Sequence, residues 1–490
     1  MRKFYTENDV EHSIARGEYE IYINETDVIT SIAKETAGKK GLKFIVKCKD
    51  VKNNKPEENF SPQSYKPVSR AARISYNTNK QIIAPKYKGL ITEKEIEKWR
   101  SEFPILKTTA HLGNCSQSAQ SIRVREAIDS YLENWLTVGM DWESWVDEVN
   151  KAKEEFAKLI NADPSEIAVS SCVSEAVSSI ASALDYSGKR KKIVVTDAEF
   201  PTVDYIWLAH QRAGAKVDFI SVNEDHQIDI EEYDRYIDEN TLLTSVTHVY
   251  YLNGFKQDVA KIADIAHSKG SLILVDAYQG LGTEPIDVKK MNIDILASGC
   301  LKYLFGIPGI AFLYVNKDLV TKLKPTLTGW FAQVNPFLFQ TRYNDWSDTA
   351  SRFDTGTQPV LNAYAARAGL KIINEVGPER IKDRIDMLSV YALEGCLSRG
   401  LPTISPFDVN RKGGTTAILL ESKINSHEME VELRNRHVIG SGRGDVIRIA
   451  PHFYSKPEEI DYALDMIKQI LESRWFCVHM CSAGKMCFYN

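Results

Sequence analysis

The sequence predicts an α/β fold: a large domain with a mainly parallel sheet between helices, a smaller carboxyl-terminal α/β domain and a small amino-terminal appendage. Two observations carry this expectation. Short apolar runs bounded by turn residues, namely IAVSSC (167–172), KIVVTD (192–197), KVDFISV (216–222), TLLTSVTHVYY (241–251), SLILVDA (271–277), DILASG (294–299) and IAFLYV (310–315), alternate with amphipathic stretches such as VSEAVSSIASAL and VAKIADIAHSKG. Near-continuous apolar strands joined by helical crossovers imply a sheet buried on both faces. The second observation is composition: 490 residues with 43% hydrophobic side chains are enough for a large core and roughly two to four domains.

Residues 1–50 read as a compact α/β appendage, with a polar helix after Thr6, a strand EYEIYI, a helix from about Asp27 to Ala37 and a strand KFIVKCK. Residues 49–81 are rich in Lys, Asn, Pro and Ser with little apolar periodicity, the composition of a linker, and the linker is expected over 51–92. The large domain is expected over 93–365 and the smaller one over 366–475, with strands near TTAILLES and DVIRIAP and a helix from Pro457 to Ser473. A tail follows at 476–490. Its Cys477, His479, Cys481 and Cys487 match no zinc spacing, so no metal is assigned.

A net charge of −5 without a dense basic block argues against nucleic acid as a partner. No apolar run approaches the length of a membrane span, the amino terminus is too charged for a secretory segment, and the cysteines are scattered. A cytoplasmic protein with reduced thiols is expected.

Asp276 closes the strand LILVDA and Lys302 lies one supersecondary unit later, in SGCLKYLFGIPG. A carboxylate ending an apolar strand is costly without a cationic or hydrogen-bonding partner, although helix capping also accounts for such a residue. A lysine at the next strand end, followed by Gly306, Pro308 and Gly309, adds a reactive amine beside a roomy turn. Together they point to pyridoxal 5'-phosphate, whose aldehyde a lysine holds as a Schiff base and whose pyridine nitrogen an acid keeps protonated.

From about Ala110 to about Ile470 the chain resembles the class V aminotransferase family of fold-type-I pyridoxal phosphate enzymes, which includes cysteine desulfurases, isopenicillin N epimerase and kynureninase. The resemblance implies a role for each matching residue. Ser174 in SSCVSEAVSS would hold the phosphate at a helix N-terminus, a position that capping explains equally well. Phe200 in TDAEFPTVDYIW would stack on the pyridine ring, where desulfurases usually have His. Gln279 would reach the phenolic oxygen, with His248 and Tyr251 as further contacts. Trp330 in TGWF and Thr357 in RFDTGTQP would serve a neighbouring subunit, implying a homodimer with shared sites, although Trp330 also suits plain packing. Arg448 would grip the substrate α-carboxylate, because a guanidinium clamps it bidentately. The glycines at 440, 442 and 444 precede a strand, so they are no dinucleotide loop.

Two departures qualify the match. Relatives carry His or Tyr directly before the lysine, where this chain has Leu301, so that phosphate contact must come from elsewhere, with Ser298 or Trp330 as candidates. No cysteine stands between Cys396 and Arg448, where a desulfurase needs its thiolate nucleophile. The leading expectation is transamination of an amino acid or related amine, with Lys302 moving the α-proton. The alternative is a β-lyase of kynureninase or C–S lyase type, motivated by Phe200, Trp330 and HLGNCS (111–116), which would put Asn114 near the substrate. A third reading, a cofactor-poor scaffold, gives no reason to keep both Lys302 and Asp276.

Overall fold

The computed structural model describes residues 4–16, 19–23, 28–46, 81–421 and 424–482. The chain divides into two units, Met1–Ala72 and Arg73–Asn490. In the first, helices Glu7–Ala15 and Ser31–Lys40 pack through Val10, Ala33, Ala37 and Leu42. The second helix starts later than the sequence predicts. Thr30 caps it by accepting from Ala33 N–H, and Val28–Ile29 is a short strand paired with Phe4–Tyr5.

The larger unit is built on a seven-stranded sheet: β1 (Ile167–Ser170), β2 (Lys192–Thr196), β3 (Lys216–Ile220), β4 (Thr241–Thr247), β5 (Leu272–Asp276), β6 (Ile295–Gly299) and β7 (Ala311–Val315), in the spatial order β1-β7-β6-β5-β4-β2-β3. The joins among β6, β5, β4, β2 and β3 are parallel. Only β7 runs the other way, antiparallel to both β6 and β1. Its reversal follows from the short 300–310 connection, which leaves no room for the helical crossover a parallel return requires.

Alternate strand residues feed two cores. Val194, Val275, Leu296 and Phe312 join the helix Trp142–Ile160 on one face, while Val195, Leu274, Ala297 and Leu313 join the helix Val173–Ala183 on the other. This two-sided burial is why the strands read as apolar runs rather than alternating ones.

Downstream, Thr416–Leu419, Val446–Ile449 and Ser441–Arg443 form a three-stranded antiparallel sheet. It packs on helices Pro378–Arg399 and Pro457–Ser482 through Leu388, Ile418, Ile447 and Leu464. Ala110–His111 pairs with Val438–Ile439, so the segment 111–118 runs between this layer and the central sheet.

Two boundaries differ from expectation. Residues 81–92, assigned to the linker by composition, are tied down: Ile83 N–H donates to Phe407 O at 3.0 Å, and the Lys88 and Gly89 N–H groups donate to Asp383 at 2.6 and 2.7 Å. Such pairing uses backbone atoms, which composition does not reveal. The rest of that linker, 51–80, lies outside the described residues. The last helix runs to Ser482, past the expected Ser473, and the side chains of the tail's cysteine and histidine cluster lie outside the described residues.

Asp354 links the two-sided core to β1. It accepts from Val169 N–H at 2.7 Å, from Gln358 at 2.8 Å and from the buried Lys153 amine at 3.0 Å. Removing one partner of a buried pair leaves an uncompensated charge, so Asp354→Ala is expected to cost about 3 kcal/mol by urea unfolding. A loss below about 1 kcal/mol would show that Lys153 is solvated.

Candidate active site

Because β1, β2, β4, β5 and β6 share one direction, their carboxyl ends lie along one edge of the sheet, where ligand groups gather in open α/β folds. Asp276 is the last residue of β5. Its Oδ1 accepts from Tyr278 N–H at 2.8 Å, and its carbonyl accepts from His248 N–H at 2.8 Å. Burial pushes the Asp276 carboxyl up, against the Tyr278 N–H and the Lys302 charge that pull it down. His248 is also buried. Desolvation lowers its pKa to about 4, so the ring is neutral, and its Nδ1 has no hydrogen-bond partner. Gly280 makes room for it: an added Cβ would stand 2.3 Å from that nitrogen.

Lys302 follows β6 in the turn that reverses the chain. The residue as a whole is half-buried, but its amine is desolvated enough to lower the pKa to about 8, with Asp276 opposing the shift. The amine stands 4.1 Å from the centroid of the Tyr278 ring and 5.7 Å from that of Phe200. The surrounding backbone is pinned: Ser118 Oγ donates to Lys302 O, and Ser118 N–H donates to Leu301 O at 3.2 Å. Phe200 caps the helix Pro201–Ala209, is 40% exposed and meets Tyr251 edge-on at 5.3 Å. The residue before it, Glu199, is 2% exposed, with only the Thr247 backbone favouring its charged form. Burial, then the Asp276 and Asp204 charges, raise its pKa well above the carboxylate range, which favours the neutral form.

The loop after β1 leads into the helix Val173–Ala183. Its first two N–H groups, on Val173 and Ser174, have no partner within the helix, and the half-buried Ser174 hydroxyl makes no hydrogen bond among the described residues. Glu175 instead occupies Ser171, accepting from its N–H at 2.8 Å, and also takes the Thr355 hydroxyl.

Arg448 projects from the antiparallel sheet and is 1% exposed. It donates to Ser441 O at 3.2 Å, Ser441 Oγ at 2.6 Å, Tyr251 O at 2.7 Å and Ser116 Oγ at 3.2 Å. Among the described residues no carboxylate pairs with it. Its charge and that of the exposed Arg443 both lower the pKa of the Lys302 amine slightly, beside the larger effect of burial.

Lys302, Asp276, Phe200, Tyr251 and Arg448 therefore come together, with His248 bonded to the Asp276 backbone. Gln279 lies alongside, donating to Cys115 O at 3.0 Å while its Oε1 is buried without a partner. Ser298 is fully buried on β6 and donates to Gly299 O at 3.1 Å. Asn114 is spent on the fold: it donates to Ala450 O at 2.7 Å and accepts from Tyr454 at 2.7 Å, locking the 111–118 segment in place. Trp330 sits among Trp142, Phe331, Phe337 and Phe339, and Thr357 is exposed. Sequence reading missed Tyr278, Glu199, Ser116 and Ser441. The two serines carry no local pattern, but Tyr278, between Asp276 and Gln279, was findable by position.

This fold and this edge of charged groups define a cofactor-dependent α/β enzyme, and the comparisons supply its family. Residues 116–450 match the family model "Aminotransferase class-V", and the chain belongs to that family. It is 39% identical over 371 residues to "Uncharacterized aminotransferase YcbU" of Bacillus subtilis, covering 76% of this chain and 97% of the relative. It is 26% identical to a kynureninase of Geobacillus thermodenitrificans, covering 78% and 93%. The solved apo cysteine desulfurase of Thermococcus onnurineus superposes with a TM-score of 0.70 at 22% identity, over 77% of this chain and 98% of that one. Pyridoxal phosphate is the cofactor. The residues present fit it: a buried carboxyl without a full cation partner suits a protonated ring nitrogen, a desolvated amine suits an aldehyde, and free N–H groups at a helix start suit a phosphate.

Trace labelling of the Lys302 amine in protein freed of cofactor is expected to be half-maximal near pH 8, well below an ordinary lysine. Asp276→Asn removes the charge that favours the protonated amine, so it is expected to move the midpoint lower still. A midpoint near pH 10 would mean that the amine is solvated.

Proposed function

We propose that this protein acts on an α-amino acid and transfers its amino group, with Lys302 as the residue that moves the α-proton. The observation that carries this reading is Arg448. A guanidinium that is 1% exposed and lacks a carboxylate among the described residues bears an uncompensated charge, and a substrate carboxylate supplies the missing anion. Bound at Asp276, the cofactor supplies an electron sink for the bonds around the substrate α-carbon.

The protein's own groups divide the remaining work. Phe200 has no exchangeable proton, and desolvation lowers the pKa of the buried His248 ring to about 4, which leaves it a weak base near neutral pH. Lys302, with a pKa near 8, takes or returns a proton at Nζ close to working pH. In this reading Ser174 and the loop amides hold the phosphate, Gln279 and Tyr251 line the ring, and Ser298 supports them from β6. The large portion carries the cofactor and the portion after 366 carries the clamp.

A β-lyase is the second reading, supported by the kynureninase relative. Candidate amino acids incubated with and without a keto acid separate the two. Amino transfer only when an acceptor is present is expected; pyruvate, alanine or sulfide released without one would replace transamination by the lyase. Arg448→Lys is expected to raise the amino-acid KM on the order of a hundredfold while leaving cofactor absorbance intact.

The homodimer reading has its own support. A run of rings from Trp135 through Tyr131, Trp145, Trp142 and Trp330 to Phe339 joins exposed apolar residues, with Leu136 81%, Met140 76% and Phe339 68% exposed. A continuous apolar surface of this kind marks an interface, and a second copy would bring Trp330 and Thr357 to the neighbouring site. Leu136→Glu with Phe339→Glu is expected to give monomers by sedimentation; an unchanged mass would exclude this face. The described cysteines are free thiols, in keeping with a cytoplasmic setting, and no described helix is long and apolar enough to cross a membrane.

A further inference from the structure

We propose that Tyr278 is a positioning residue of the cofactor site, holding the Lys302 amine against its ring face and presenting its hydroxyl as a donor to the cofactor's phosphate. The inference rests on reading the 171–174 loop as the phosphate cradle. Tyr278 lies in the turn after β5, between Asp276 and Gln279, and its ring centroid is 4.1 Å from the Lys302 amine. Its hydroxyl end lies flat on the end of β6: a Cβ added at Gly299 would stand 2.3 Å from both Cζ and Oη. Gly299 is aligned with Ala311 on β7, and Ala311 with Ser170 on β1. The hydroxyl thus occupies the row of the sheet that runs into the loop, two strands or about 10 Å away. Burial, then the Cys300 and Asp276 charges, raise the phenol pKa, while a hydrogen bond from the Leu301 N–H in the lysine turn opposes them.

A donor is needed there. A phosphate dianion presents three terminal oxygens, and much of the loop's own capacity is committed. The Ser171 hydroxyl and N–H go to Glu175, the Thr355 hydroxyl goes to Glu175, and the Ser170 hydroxyl donates to Cys172 O at 3.0 Å. Val173 and Leu301 offer no side-chain donor, and the Ser298 hydroxyl is turned onto Gly299. Among the described residues of the same chain that leaves Ser174, the N–H groups at the helix start and Tyr278. Burial raises the phenol pKa, so the hydroxyl keeps its proton and stays a donor at any working pH. The ring face meanwhile attracts a protonated amine, which offsets part of the desolvation at Lys302.

The test compares pyridoxal phosphate with pyridoxal, which lacks the phosphate, in titrations of wild type, Tyr278→Phe and Tyr278→Leu followed by visible absorbance. Tyr278→Phe keeps the ring and removes only the hydroxyl. It is expected to weaken pyridoxal phosphate about tenfold, the value of one charge-assisted hydrogen bond, and to leave pyridoxal unchanged. Tyr278→Leu is expected to weaken both and to lower the labelling midpoint of Lys302. If Tyr278→Phe binds pyridoxal phosphate within about twofold of wild type, or weakens both ligands equally, the hydroxyl does not serve the phosphate and the proposal is wrong. If wild type itself binds the two ligands equally, the fault lies with the phosphate cradle, and the proposal falls with it.

Discussion

Because every strand of the central sheet except Ala311–Val315 points the same way, Asp276, His248, the loop after Ser170 and the turn bearing Lys302 all emerge at one edge. The rest of the site depends on that shared direction. It gathers an acid and an amine in a place dry enough to raise the first pKa and lower the second. Gly280 and Gly299 let the neighbouring rings lie directly on the backbone, where any side chain would clash with His248 or Tyr278.

The charge balance of the edge explains what it is built to receive. Lys302 and the buried Arg448 are cations beside carboxyls, Glu199 and Asp276, whose burial favours the neutral form. Such an edge has a surplus of positive charge, which a phosphate and a carboxylate offset. Behind His248 lies a second charged layer that the chemistry does not touch. Glu284 pairs with Lys256 at 2.7 Å and Lys382 at 3.8 Å, Lys382 pairs with Asp386, and the buried Lys412 donates to Ser389 at 3.1 Å. Burial lowers the Lys412 pKa to about 7. This network joins the helix Pro378–Arg399 to the loops beside β4 and β5, so it braces the wall on which the site stands.

Much of this was legible in the sequence because it follows from local pattern. The apolar runs mark the strands, and Asp276 at the end of one and Lys302 just past the next are the residues from which the candidate site was read. What was misread depends on partners far along the chain. Residues 81–92 look like linker because their anchors, Phe407 and Asp383, lie some three hundred positions away. The helix placed from Asp27 begins at Ser31 because Val28–Ile29 pairs with Phe4–Tyr5. Asn114 reads as a substrate contact from its motif, yet its amide is engaged by Ala450 and Tyr454.

By itself, then, the sequence determined the α/β class and set Asp276 and Lys302 near neighbouring strand ends, while Arg448 was singled out only through the family resemblance. Only the tertiary structure decided the rest. Among the described residues no carboxylate pairs with the buried Arg448, the Glu199 and Asp276 carboxyls are both buried and act on each other, and the Tyr278 ring lies against the Lys302 amine. The reason is physical: desolvation and pairing depend on which atoms surround a group in space, and those atoms come from strands and loops that the chain order keeps apart.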